Sequence, residues 1–221
     1  MTSAYQLYFS PGACSRVSIA ALEWVGVDYT LCPILLAHNE HRQPPYQALN
    51  SKQQVPLLAC AQGPLTETVA IALYLHQLFP QAGLLPSGDP FEVAITTSWL
   101  AWCSSTLHPL IFRSRRADRI HPEAAEHDVI RQIALADLRH QLELVERTLS
   151  DGRQWLCGAA CSLVDLYVLW CVQRAAQGGC DIGQWPALHQ WQANAQLQPV
   201  WGRMLEREAQ AVSAREAGAL V

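Results

Sequence analysis

A small α/β unit followed by an all-helical unit is the fold class this sequence predicts, and three features predict it. Strand and helix patterns alternate through residues 5–79. A stretch dense in proline and glycine, Pro80-Gln-Ala-Gly-Leu-Leu-Pro-Ser-Gly-Asp-Pro90, then interrupts them as a linker does. Beyond it the strand signals vanish and apolar residues recur every three or four positions. The predicted layout is a first domain over 1–81, a linker over 82–89 and a helical domain over 90–221.

The first domain opens with a short apolar strand over 5–9, closed by a Pro11-Gly12 turn. Val17, Ala20, Ala21 and Trp24 then keep helical spacing up to Gly26, which predicts a helix over 15–25. A strand near 29–34 begins Tyr29-Thr-Leu-Cys32. His38 to Gln54 is polar and proline-bearing, a long loop with at most a short helix. Val55-Pro-Leu-Leu-Ala-Cys60 reads as a strand, and Gln62-Gly-Pro-Leu65 as a tight turn into an edge strand, since an internal strand tolerates proline poorly. A helix from Glu67 to Phe79 carries Val69, Ile71, Ala72, Leu75 and Leu78.

After the linker, Asp89 is a good N-cap and Pro90 suits the first helical position, so a helix is expected over 90–115. A second long helix runs from Pro122 to Leu149, with Ile130, Ala134, Leu138, Leu142, Val145 and Leu149 on one face. Further helices fit 162–177, 186–197 and 199–211, and the alanine-rich tail from Val212 reads as frayed.

Half the 221 residues are hydrophobic and 15% are charged, enough apolar surface for a substantial helical core. Fifteen basic residues against nineteen acidic ones give a net charge of −4, without the basic stripe that nucleic acid requires. The start, Met-Thr-Ser-Ala-Tyr-Gln, has no basic and apolar signal pattern, and no apolar run approaches the roughly 20 residues of a membrane span. A cytoplasmic protein is therefore expected. The eight cysteines (14, 32, 60, 103, 157, 161, 171 and 180) are scattered and read as reduced thiols rather than a disulfide framework. No C-x-x-C pair is present and Cys157 with Cys161 lacks a second pair, so no metal site is expected; His38-Asn-Glu-His41 reads as a polar loop.

Three segments carry chemistry. Cys14 lies between the first strand and the first helix, near the positive end of the helix dipole, where a thiol pKa of about 8.5 can fall to roughly 3.5–7.5. The alternative is a small buried apolar cysteine. Val55-Pro56 is either a tolerated strand start or a cis peptide that turns the backbone of Val55 toward a ligand. Thr66-Glu67-Thr68 is either a helix cap, with hydroxyls accepting free N–H groups, or an anion site at which Glu67 also holds an ammonium group.

Their order along the chain resembles the cytosolic glutathione S-transferases over nearly its whole length, and most closely the bacterial beta class. Pro11-Gly-Ala-Cys-Ser15 matches the segment that supplies a cysteine where other classes use tyrosine or serine. Thr66-Glu-Thr-Val-Ala-Ile-Ala-Leu-Tyr-Leu75 matches the glutathione-holding segment, and Ser162-Leu-Val-Asp165 the capping box of the helical domain, whose loss should cost about 1 kcal/mol. The resemblance implies a thioredoxin-like first domain, a helical second domain and a homodimer. It assigns catalysis to Cys14 and to His108, the latter facing the glutathione sulfur across an interdomain cleft; read alone, His108 before Pro109 is a helix-kink feature. It also assigns glutathione binding to Gln54, Val55, Pro56, Glu67, Thr68 and Asn39. Asn39 falls near a place where beta-class proteins often carry lysine, with His38 or Arg42 as substitutes.

The implied reaction adds the thiolate of glutathione, as co-substrate, to a small hydrophobic electrophile. Lowering a thiol pKa from about 8.5 to about 6.5 raises ionisation at pH 7 from roughly 3% to roughly 75%. The less basic thiolate is about 6–10-fold less nucleophilic, so positioning of the electrophile must supply most of the rate. Phe9, Leu107, Ile111 and Phe112, with Trp99 and Trp102, are candidates for its apolar wall, or else plain core residues. Cys14 also permits glutathione-dependent disulfide reduction. A two-cysteine cycle is excluded, because Cys14-Ser-Arg-Val17 has no resolving cysteine. A glutathione-fold binding protein without catalysis is the third reading.

Overall fold

A computed structural model describes residues 4–218. It divides into two compact units, one running up to Leu84 and resuming at Gln198, the other spanning Leu85–Leu197.

The first unit is built on a four-stranded sheet of β1 (Tyr5–Phe9), β2 (Tyr29–Pro33), β3 (Leu57–Cys60) and β4 (Gly63–Thr66) in the order β2-β1-β3-β4. β1 and β2 run parallel, while β3 is antiparallel to both β1 and β4. The pleat brings Leu7 opposite Leu31 and Leu58, and Leu58 opposite Leu65. β4 is an edge strand, which is why Pro64 fits there. Helix α1 (Ser15–Val25) stops at Gly26, whose φ of +72° lets its N–H turn back to the carbonyl of Leu22. Helix α2 (Pro44–Leu49) is the short helix within the long loop, and α3 (Thr68–Leu78) follows β4. This is the thioredoxin-like α/β arrangement expected of residues 1–81.

The second unit is all helical. Helix α4 (Pro90–Trp102) starts on Asp89, whose carboxylate accepts the N–H groups of Phe91 and Glu92. The expected single helix over 90–115 contains a π turn at Cys103–Leu107 before α5 (His108–Arg115). Pro109 has no N–H to donate, and the N–H of His108 reaches five residues back to the carbonyl of Cys103. Helix α6 (His127–Leu149) begins later than Pro122, after a short 3₁₀ turn at Ala124–Glu126. Helix α7 (Leu163–Gln177) is buried from Leu163 to Val172 without a polar face, the pattern of a central core helix. Helix α8 (Pro186–Gln196) completes the unit.

Helix α9 (Pro199–Glu216) departs from the sequence expectation twice. It was grouped with the helical domain over 90–221, yet it lies along α1 and β2 in the first unit. It also continues past Val212, where a frayed tail was expected. Both follow from side-chain pairing, which periodicity does not encode. Arg203 binds Glu23, Arg207 stacks on the Tyr29 ring, and Arg215 binds Glu40 and the carbonyl of Pro33. No disulfide joins the eight cysteines.

Candidate active site

The β1–α1 loop is set by its own backbone: Ala13 N–H donates to the Ser10 carbonyl, and the Ser15 hydroxyl bridges the N–H and C=O of Ser10 at 3.2 Å each. This places Cys14 immediately before α1, buried, with its sulfur 3.8 Å from the Val55 carbonyl oxygen. The Val55–Pro56 peptide is cis. The Thr68 hydroxyl hydrogen-bonds to the Cys14 sulfur, and the backbone N–H groups of Cys14 and Ser15 also favour its charged form. Burial outweighs them, with Glu67 adding repulsion, and the thiol is pushed up to about 11. The helix start was expected to lower this pKa, and it does not. The dipole of an eleven-residue helix does not offset the loss of water around the sulfur.

Glu67 occupies the N-cap position of α3 with a φ of +75°, and neither it nor a threonine caps the helix. The hydroxyl expected to cap α3 at Thr68 turns to Cys14 instead. The exposed carboxylate of Glu67 meets Lys52 Nζ at 2.6 Å. Lys52 was not singled out in the sequence, because fifteen residues and two strands separate it from Glu67. Gln54 presents a fixed carbonyl that accepts the Tyr46 hydroxyl at 2.6 Å and the Asn50 amide at 2.7 Å. Tyr46 and Asn50 were likewise missed. Their only signal was an i, i+4 spacing from α2 to its C-cap residue Asn50.

The structure thus gathers Cys14, Val55, Pro56, Glu67 and Thr68, with Gln54 adjoining. Asn39 is exposed at φ +57° between two 3₁₀ turns, and among the described residues no hydrogen bond links it to this group. The proposed apolar wall is corrected. Phe9 and Leu107 are 0% exposed and Ile111 3%, which leaves no face for a substrate. Phe9 alternates with Leu7 on the buried side of β1, and Leu107 and Ile111 lie one turn apart on an inward stripe. Phe112 is 40% exposed and keeps the role available. Trp99 packs edge-on against Trp102, whose ring nitrogen donates to Gln141 at 2.9 Å.

In the second unit His108 packs edge-on against Trp170, with ring centroids 4.8 Å apart. Burial, assisted by Arg174, lowers its pKa to about 4, so the imidazole is neutral at pH 7. A folded pKa below the unfolded value of about 6.5 means that the unfolded chain binds the proton first. The stabilisation is complete above about pH 6.5 and is lost as pH falls toward 4. Wild-type protein should lose about 2–3 kcal/mol more than a His108→Gln variant between pH 7.5 and 4 in urea unfolding. Parallel stability curves would show that His108 titrates normally.

Comparison with known proteins gives the site its context. The family model for the glutathione S-transferase N-terminal domain matches residues 3–77, and one described as a domain of unknown function matches residues 108–184. The glutathione S-transferase GstA of Escherichia coli O157:H7 is 33% identical over 165 residues, covering 74% of this chain and 78% of its own. The disulfide-bond oxidoreductase YfcG of Escherichia coli K12 is 26% identical, covering 90% of this chain and 93% of its own. Among solved structures, a sphingomonad glutathione S-transferase complexed with glutathione superposes with a TM-score of 0.81. It is 27% identical and covers 92% of this chain and 98% of its own.

Proposed function

This chain belongs to the glutathione S-transferase family, and on that premise we propose that it conjugates the thiolate of glutathione to small hydrophobic electrophiles as a cytoplasmic, beta-class-like enzyme. The observation that carries this reading is the buried Cys14 thiol immediately before α1, with its sulfur 3.8 Å from the Val55 carbonyl oxygen. Burial pushes this thiol up to about 11, which favours Cys14 as an S–H donor over a nucleophile. Its task is to donate a hydrogen bond to the glutathione sulfur and stabilise that sulfur as thiolate. The thiolate then attacks the electrophilic carbon, a C–S bond forms, and the leaving group departs with its electron pair.

Glutathione is held by the backbone of Val55 beside Pro56, by Gln54, by the Thr68 segment, and by Glu67, which accepts its ammonium group; Asn39 contributes from the neighbouring loop. Within the second unit, His108 keeps a neutral imidazole and Phe112 an exposed apolar face. The exposed side chains of Phe91 and Ile95, one turn apart at the start of α4, support pairing into a homodimer.

The competing reading, disulfide reduction through Cys14, needs a thiolate that burial suppresses. Cys14→Ser retains a hydroxyl donor and should keep aryl-halide conjugation within about threefold, while Cys14→Ala should lower kcat/KM about tenfold. Neither variant should reduce a glutathione mixed disulfide. Conjugation absent from the wild type across several electrophiles rejects the transferase reading. Disulfide reduction by the wild type that Cys14→Ser abolishes supports the alternative.

A further inference from the structure

We propose that Glu208, on the last helix of the chain, is the positioning residue for the loop that carries Cys14. The proposal rests on Cys14 serving glutathione chemistry, but its first readout does not require turnover. Glu208 is 5% exposed, 196 residues from the loop it touches. One carboxylate oxygen accepts the Gly12 N–H at 3.1 Å. The other accepts Arg16 Nε at 2.9 Å and Nη2 at 2.5 Å. These partners stand two residues before and two residues after Cys14, so a single buried carboxylate brackets the thiol on both sides. Gly12 has a φ of +72°, and its N–H, at the tip of the loop, is fixed by the Glu208 carboxylate. Arg16 Nη2 donates to the same carboxylate. Removing that carboxylate leaves the guanidinium half-buried without its countercharge, a condition relieved by moving the loop toward water.

Val200, Trp201 and Met204 supply the apolar burial of α9, and Glu208 is the buried charged residue on this helix, set against the loop that carries Cys14. Seven residues farther along, Arg215 grips a different loop through Glu40 and the Pro33 carbonyl, and Glu40 in turn accepts the Leu35 N–H at 2.7 Å. The helix therefore ties down two loops through separate side chains, and this separation provides the control.

Iodoacetamide labelling at pH 8, read at Cys14 by mass spectrometry, tests the assignment, with Cys32 and Cys60 as half-buried references in the same unit. Glu208→Ala should label Cys14 about tenfold faster or more and leave both references unchanged. Glu208→Gln, which keeps an acceptor for Gly12 but removes the countercharge of Arg16, should label Cys14 at a rate between those of wild type and Glu208→Ala. Arg215→Ala should leave Cys14 labelling at the wild-type rate. In conjugation assays Glu208→Ala should lower kcat with the electrophile KM unchanged. Equal Cys14 labelling in Glu208→Ala and wild type overturns the proposal. So does a common rise at Cys14, Cys32 and Cys60, or an equal rise in Arg215→Ala, either of which marks loosening of the whole unit. Absence of conjugation in the wild type would reject the transferase reading and leave the labelling result to decide Glu208.

Discussion

Replacing Asp165 with alanine should cost about 3–5 kcal/mol and lower the thermal midpoint by roughly 10 °C. Its carboxylate is 0% exposed and accepts four hydrogen bonds, from Leu156 N–H at 3.0 Å, Ser162 N–H at 2.9 Å, the Ser162 hydroxyl at 3.2 Å and Trp191 Nε1 at 3.0 Å. The bond from Ser162 N–H is one half of the capping box of α7, whose other half is the Asp165 N–H donating to the Ser162 hydroxyl, and the bonds from Leu156 and Trp191 reach the preceding loop and α8. Alanine would bury three N–H donors without acceptors, each a penalty of about 1–3 kcal/mol. The negative group also sits in the first turn of α7, where the helix dipole favours it. Asp165→Asn keeps one acceptor but turns an amide toward the donors, so an intermediate loss is expected. Urea unfolding followed by circular dichroism measures both variants. A loss near 1 kcal/mol for Asp165→Ala would mean that the cap acts alone and the contacts to Leu156 and Trp191 contribute nothing.

Asp165 also shows where sequence reading stops. Ser162-Leu-Val-Asp165 is legible as a cap because both partners lie within one turn, and the structure forms it. Trp191 lies twenty-six residues away, and nothing in the local pattern joins it to Asp165. The same division runs through the candidate site. Strands, helices, the stop at Gly26 and the start at Asp89 were readable because period and capping are local. Cys14 was legible as a position, but its acidity was misjudged, because burial is set by the whole unit and here defeats the local dipole. Lys52 and Glu208 were missed because each acts across a tertiary contact, and Tyr46 and Asn50 because their partner is a backbone carbonyl in an irregular loop. Phe9, Leu107 and Ile111 were assigned to a substrate wall on their type alone, which does not separate a pocket lining from a core.

Replacing Glu67 with glycine should raise the KM for glutathione tenfold to about a hundredfold while stability holds or rises by about 1 kcal/mol. Residue 67 has a φ of +75° and a ψ of 125°, a conformation that is strained for any side chain and open to glycine. The strain is not offset by the usual local roles of a carboxylate at a helix start. Glu67 makes no cap bond to α3, and its ion pair with Lys52 joins two side chains that are each more than half exposed, which contributes little. A strained residue without a structural return points to a functional demand, and a carboxylate beside Cys14 and Thr68 suits the ammonium group of glutathione. Binding would replace the Lys52 ammonium with that of the ligand, at the strength of a charged hydrogen bond, about 1.5–3 kcal/mol. Glycine relieves the backbone and removes this grip, so stability and affinity should move in opposite directions. Thermal unfolding and retention on immobilised glutathione read the two quantities separately. Glu67→Gly that loses stability and affinity together would make Glu67 a structural residue; unchanged retention would remove it from the glutathione site.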